Sequence, residues 1–131
     1  MTCTDPIEIL DVQSYLPSYG ETSFECYYEE NGLVFTILYD DENSNDLKRL
    51  ELTFEYPVSV DISSFPGPSL LDCHYNSDFL GSLVEFTKSE LRDKWEKHIT
   101  HSLQLKHFGL LLLNANKRLE IICKDVKVSN P

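Results

Sequence analysis

Carboxylates give the clearest chemical signal in this 131-residue chain, because their distribution is one-sided. Residues 1–46 contain eleven Asp and Glu and no Lys, Arg or His, whereas residues 47–131 hold the other eleven acids and all eleven Lys and Arg. The formal net charge of −11 therefore comes from the first third. Charge of this sign argues against nucleic acid and anionic membrane surfaces as partners, and it favours a basic protein.

Tyrosines are interleaved with these acids, and Tyr offers a large, rigid contact area with a polar tip that suits protein interfaces. The pattern predicts that the following residues bind a partner: Glu25, Tyr27, Glu29, Glu30, Tyr39, Asp40, Asp41, Glu42 and Asp46. A simpler alternative is that the acids keep a small domain dispersed in water while the tyrosines pack within strands.

No group of residues in the sequence has the spacing of a metal-binding or cofactor-binding motif. Cys73 and His74 are adjacent, and His98 and His101 lie three apart, but neither pair belongs to the two-part spacing of a zinc site. The five glycines are isolated, so no phosphate-binding loop or dinucleotide fingerprint occurs. We predict no metal and no cofactor.

Catalytic residues are equally hard to nominate. His107 is a candidate base, but a His on a strand is more commonly structural, and no nucleophile, base and orienting group occur together in sequence. The prediction is that the protein is not an enzyme and has no catalytic residues. Paired carboxylates in a cleft remain an alternative, since two well-placed acids suffice for some hydrolases.

The cysteines and the N-terminal sequence bear on location. MTCTDPIEIL lacks the features of a secretory signal, and the four cysteines are scattered, so we expect four free thiols in a cytoplasmic protein. The most apolar run, Leu110 to Leu113, is far too short to span a bilayer. Length and composition predict one globular domain over residues 1–131, and they are compatible with a homo-oligomer.

Two hairpins organise the expected fold. The first joins Phe24–Glu29 to Leu33–Tyr39 through Asn31-Gly32, a pair that favours a type I′ turn with positive φ at both residues. The second joins Phe108–Leu113 to Leu119–Cys123 through a turn at residues 114–117. In its last strand Arg118, Glu120 and Lys124 alternate with apolar residues, which predicts one face in water.

Further strands are predicted at Ile7–Val12, Arg49–Glu55, Val58–Ile62, Leu70–Tyr75 and Phe79–Phe86. One short helix is expected near residues 88–98, with Thr87 as N-cap, Glu90 reaching back to it and Trp95 as its anchor in the core. These elements predict a mainly β (α+β) fold, either an antiparallel β-sandwich or a part-open barrel with the helix over one end or face.

From Arg49 onward the chain resembles small β-rich immunity-type proteins of bacterial toxin–immunity systems. The likeness covers residues 49–128, and the following residues carry it: Arg49-Leu50, Leu52, Phe54-Glu55, Lys94-Trp95, Lys106-His107-Phe108 and Leu119-Glu120-Ile121-Ile122. The resemblance implies a cytoplasmic protein that binds and blocks a toxin domain without catalysis. Toxins of such systems are commonly nucleases with basic clefts, which an acidic face would complement.

The leading interpretation is therefore a non-catalytic interaction module, more specifically an immunity-like inhibitor that binds a basic toxin through an acidic face. A small-molecule-binding β-barrel or sandwich is the alternative, and it requires an enclosed pocket lined by side chains such as Phe35, Phe54 and Leu111. A carboxylate-using enzyme is the third.

Overall fold

Two antiparallel sheets form the fold in a computed structural model that describes residues 3–30, 32–64, 81–99 and 103–130. The strands of the described part are β1 (Cys3–Asp11), β2 (Ser23–Glu29), β3 (Gly32–Asp40), β4 (Leu47–Glu55), β5 (Ser59–Ser64), β6 (Ser82–Ser89), β7 (Lys106–Leu112), β8 (Lys117–Cys123) and β9 (Asp125–Ser129). A 3-10 turn at Val12–Ser14 follows β1, and one α-helix, α1 (Glu90–His98), follows β6.

The five-stranded sheet has the order β1-β6-β7-β8-β5, and the four-stranded sheet has the order β2-β3-β4-β9. Every strand pair is antiparallel. The predicted mainly β fold with one short helix is confirmed, and its form is a sandwich, since the described strands do not close into a barrel.

The core lies between the two sheets. Its residues alternate along their strands, because every second side chain of a strand points to the same face of the sheet. They include Leu33, Phe35 and Ile37 of β3, Leu50, Leu52 and Phe54 of β4, Phe108, Leu110 and Leu112 of β7, and Leu119, Ile121 and Cys123 of β8. Each of these side chains is at most 2% exposed, so β-branched, aromatic and leucine side chains stabilise both sheets through one shared core.

Both hairpins are confirmed, but the first turn differs from the prediction. Glu29 pairs with Gly32, so Gly32 is the first residue of β3, and its φ is not positive. Glycine is needed here because β3 and β4 approach each other closely: a Cβ at Gly32 would clash with the Phe54 carbonyl oxygen on β4. The type I′ prediction is therefore wrong at Gly32, and Asn31 lies outside the described residues.

The helix starts two residues later than predicted. Thr87 is still part of β6, and Ser89 is the N-cap, whose hydroxyl oxygen accepts the Arg92 backbone N–H at 3.1 Å. Trp95 is only partly buried and no residue of α1 is fully buried, so the expected core anchor is wrong. The predicted strand at Leu70–Tyr75 falls outside the described residues, as do Cys73, His74 and His101.

The cysteines differ from the expectation of four free thiols. Cys26 and Cys123 are free, but Cys3 is disulfide-bonded. Among the described residues, no helix has the length and apolar character needed to cross a membrane.

Candidate functional site

The predicted partner-binding residues divide into two groups at opposite ends of the four-stranded sheet. Glu29 and Glu30 lie at the β2–β3 turn, whereas Asp40 and the loop acids lie where β3 ends. The nine residues of β3 separate the groups by roughly 27 Å at the usual rise along a strand. Glu25 and Tyr27 lie between them on the exposed strand β2.

The loop after β3 uses its acids to hold itself together. The Asn43 backbone N–H and the Ser44 hydroxyl donate to Asp41 at 3.1 and 3.0 Å, which lowers the pKa of its carboxyl. Asp41 also lies 3.9 Å from the Lys48 amine. These contacts give Asp41 a structural role in the loop.

The neighbours of Asp41 are also engaged. Glu42 accepts the Ser18 backbone N–H at 3.2 Å, and the Tyr19 hydroxyl lies 3.4 Å from Asp40. Asp46 is exposed in the same loop. Tyr39 is 6% exposed and its hydroxyl accepts a hydrogen bond from Asn130, so it belongs to the core and not to the exposed surface.

The hairpin end of the sheet forms the candidate site, which we call the hairpin groove. It is an open groove of about 480 Å³ lined by Tyr28, Glu29, Glu30, Gly32, Tyr56 and Pro57. Tyr28 is 73% exposed and Tyr56 is 56% exposed, which is unusual for two neighbouring aromatic side chains. Within the described part of the chain, the Glu29 and Glu30 carboxylates form no hydrogen bond or ion pair, although the Glu29 backbone pairs with Gly32.

Tyr56 is held in the left-handed region, with a φ of 51°, where a bulky residue is rarely found. Such backbone costs about 1–3 kcal/mol, and it concentrates at binding and active sites. The strain is located at the groove wall, on the residue whose ring the groove exposes. Tyr56 was missed by sequence reasoning, and the adjoining Pro57 was the one signal that marked an irregular backbone there.

Acids from later strands extend the negative surface. On the face of the four-stranded sheet turned away from the core, which we call the outer face, strand register places the acids Glu25, Glu29, Asp40, Glu51, Glu55 and Asp125. Among the described residues, strand register places the bases Arg49 and Lys127 on this face, and Lys127 lies 3.6 Å from Glu55. Lys106 of β7 also reaches Asp125, at 3.3 Å. The outer face is therefore net negative, although four acids of the first third lie outside the four-stranded sheet and the turns that connect its strands.

Those four are Asp5, Glu8, Asp11 and Glu21. Asp5 pairs with Lys88 at 3.2 Å, and Glu8 accepts the Ser82 hydroxyl at 3.1 Å within the five-stranded sheet. Glu21 is buried and accepts the Ala115 backbone N–H at 2.9 Å, which ties the loop before β2 to the β7–β8 turn. The acidic first third thus supplies both surface charge and internal hydrogen bonds.

A second cluster of titratable groups lies on the opposite sheet. Ser89 Oγ is 2.7 Å from His107 Nδ1, and His107 Nε2 is 3.1 Å from Glu120 Oε1. Glu120 also contacts Arg118, whose guanidinium bonds Asp61 at 3.0 Å and Ser63 at 2.7 Å. The predicted water-facing side of β8 is therefore wrong for Arg118 and Glu120, whose side chains are 1% and 10% exposed.

This network contains the nucleophile, base and orienting carboxylate that the sequence does not bring together. Because a carboxylate only accepts, His107 Nε2 carries the hydrogen and Nδ1 accepts from the Ser89 hydroxyl. Yet Ser89 is 3% exposed, and its oxygen also caps α1. These contacts favour a structural role for the network.

Cys3 Sγ joins His107 and Glu120 in a group whose ligand atoms all lie within 4.8 Å of one another, close enough to hold a metal ion. Metal binding by cysteine requires a thiolate, and Cys3 is disulfide-bonded. The donor set therefore does not fit a metal in this redox state.

Comparisons with known proteins indicate no function, so a functional proposal has to rest on the geometry of the site. No protein-family model, curated protein or solved structure matches the chain. Of the side chains expected to line a ligand pocket, Phe35 and Phe54 belong to the core between the sheets. Leu111 alternates with core residues of β7 and lies on the other face of its sheet, so these three side chains do not line one cavity.

Replacing Tyr56 with Asn should raise the free energy of unfolding by about 1 kcal/mol, because Asn tolerates the left-handed backbone that a bulky residue resists. Chemical denaturation measures the change. Tyr28→Asn is the matched control, since Tyr28 is at least as exposed but has ordinary strand backbone, and it should not stabilise the protein. A Tyr56→Asn variant that is less stable than Tyr28→Asn would contradict the strain.

Stability should also depend on the protonation of His107. Burial and then the Arg92 and Arg118 guanidinium groups lower the pKa of His107 to about 4 from 6.5. The unfolded chain therefore binds the proton first, so stability is fully present above pH 6.5 and falls as the pH drops towards 4. The loss amounts to about 3 kcal/mol, at about 1.4 kcal/mol per pKa unit.

Denaturation of His107→Gln from pH 7 to pH 4.5 should show a flatter profile than the unchanged protein, whereas His98→Gln, on the exposed side of α1, should retain the full slope. If His107→Gln does not fold, NMR titration of the His107 ring in the unchanged protein reports the pKa directly. A ring that titrates near 6.5 would disprove this effect.

Proposed function

We propose that the protein is a non-catalytic interaction module that binds a basic protein through the hairpin groove and the adjoining outer face. The proposal rests on the groove itself, which is lined by two exposed tyrosines and by two glutamates whose carboxylates have no partner among the described residues. A group that binds in this groove has to supply both positive charge and apolar contact.

A lysine or arginine side chain meets both requirements. Its charged end would lie between the Glu29 and Glu30 carboxylates, and its methylene groups would pack on the rings of Tyr28 and Tyr56. Arg also stacks on aromatic faces and bonds carboxylates through two N–H groups at once, so an arginine fits the groove better than a lysine.

The outer face would act over a longer range. Its acids flank Tyr27, which is 43% exposed, and a net negative face attracts a basic surface before contact and speeds association. Tyrosines at the centre of such a patch would supply most of the binding energy, and the surrounding carboxylates would supply orientation.

Immunity to a toxin is the specific form of this function that we propose, on the resemblance of residues 49–128 to immunity-type proteins. Inhibition then needs only that the acidic surface cover a basic catalytic cleft. This role would place the protein in the bacterial cytoplasm, where the Cys3 disulfide would be reduced.

Charge reversal in the groove tests the proposal. The product of the neighbouring open reading frame, purified and immobilised, should bind the unchanged protein, and Glu29→Lys with Glu30→Lys should lower the affinity by at least tenfold, because lysines repel a basic partner. The control is Asp11→Lys with Asp93→Lys, which reverses two exposed acids of the opposite sheet and of α1.

The control variant has the same net charge as the groove variant, so only a localised site separates the two. Equal losses in both would show that overall charge acts without a site. No binding of the neighbouring product would contradict the immunity role.

A further inference from the structure

Strand β2 is an edge of the four-stranded sheet, and it is exposed along its length. It pairs with β3 from Ser23 to Glu29 without a register shift, and no other described strand pairs with it. Every residue of β2 except Phe24 is exposed. One side of the strand therefore presents backbone N–H and C=O groups that no described strand satisfies.

The other edges carry features that prevent further pairing. β1 contains Pro6, a positive φ of 55° at Asp5 and a register shift between Glu8 and Leu10. β9 has five residues, and β5 has six and begins at Ser59, two residues after Pro57 and three after the left-handed Tyr56. Strand β2 has seven regular residues with no Pro and no Lys, so it is the described edge most open to another strand.

The two faces of β2 differ chemically. Glu25, Tyr27 and Glu29 share the outer face, so their side chains would meet cations on an added strand. Phe24, Cys26 and Tyr28 share the opposite face, where their partners Ile37, Phe35 and Leu33 belong to the core. Phe24 stacks on Phe35 with ring centroids 5.2 Å apart, and this apolar layer continues to the exposed edge.

We propose that β2 accepts an extended segment of the basic partner as a fifth strand of the four-stranded sheet, a mode that rests on the proposed function. The alternation of β2 specifies the occupant: basic residues opposite Glu25 and Glu29, and apolar residues at alternate positions opposite Phe24, Cys26 and Tyr28. The segment needs about seven residues to match the strand. A second copy of the chain is disfavoured, because it would bring two β2 strands with the same glutamates, and two net charges of −11, together.

Two synthetic peptides of equal composition separate strand addition from charge alone. In acetyl-(Lys-Val)₄-amide the charges alternate with period two, and in acetyl-(Lys-Lys-Val-Val)₂-amide they do not. The alternating peptide should bind at least tenfold more tightly by NMR titration, with amide shifts concentrated in β2 and β3. Equal affinity, or shifts located elsewhere, would overturn strand addition while leaving the acidic surface intact.

Proline substitution tests the backbone contribution. Adjacent residues of an edge strand direct their N–H groups to opposite sides, so one of Cys26→Pro and Tyr27→Pro removes a bond to β3 and the other removes an outward donor. The variant that keeps the Tm of the unchanged protein has lost the outward donor, and it should also lose the preference for the alternating peptide. Full retention of that preference, or a dimer formed through β2 in the absence of peptide, would refute the proposal.

Discussion

A strand with a neighbour on one side only can satisfy half of its backbone hydrogen-bonding groups within the sheet, and this constraint governs β2. The strand cannot be withdrawn from the surface, because β3 is buried on both faces and pairs with β2 along seven residues. Burial of β3 therefore keeps β2 in place as the edge strand of this sheet. The glutamates and tyrosines of β2 keep this edge solvated. In the proposed interaction they also determine which segment can pair with it.

The same sheet uses its carboxylates in two different ways. At the end of β3, backbone N–H groups and Lys48 engage the loop acids, which order the loop. At the other end, the Glu29 and Glu30 carboxylates have no such contacts with the residues that the structure describes, and the strained Tyr56 exposes its ring beside them. We therefore propose that binding is concentrated at the hairpin groove and not spread over the whole acidic segment. The buried network of Ser89, His107 and Glu120 on the five-stranded sheet supports the fold from the opposite side.

Periodicity was sufficient to predict eight of the nine described strands and both hairpins, because residues such as Leu50, Leu52 and Phe54 are buried by an alternation visible in the sequence; β9 was not predicted. It failed where burial depends on partners distant in the chain. Arg118 alternates like a surface residue, yet Asp61, Ser63 and Glu120 allow it to be buried. Glu25 and Glu29 were predictable as exposed acids, but Glu51, Glu55 and Asp125 join them only through strand register. Pro57 marks an irregular backbone, but nothing in the sequence predicts the left-handed φ of Tyr56. The helix begins later than predicted because Thr87 and Ser89 are both suitable N-cap residues.

Native-state hydrogen exchange of the free protein, resolved by residue, tests most directly whether the β2 edge is open. Amides of β3 from Val34 to Leu38 should exchange only through global unfolding, whereas alternate amides of β2, those directed away from β3, should exchange close to the rate of an unstructured peptide. Uniform slow exchange along β2 would show that the N–H groups directed away from β3 already have partners. That result would contradict the proposal that this edge is open to pairing with a basic strand.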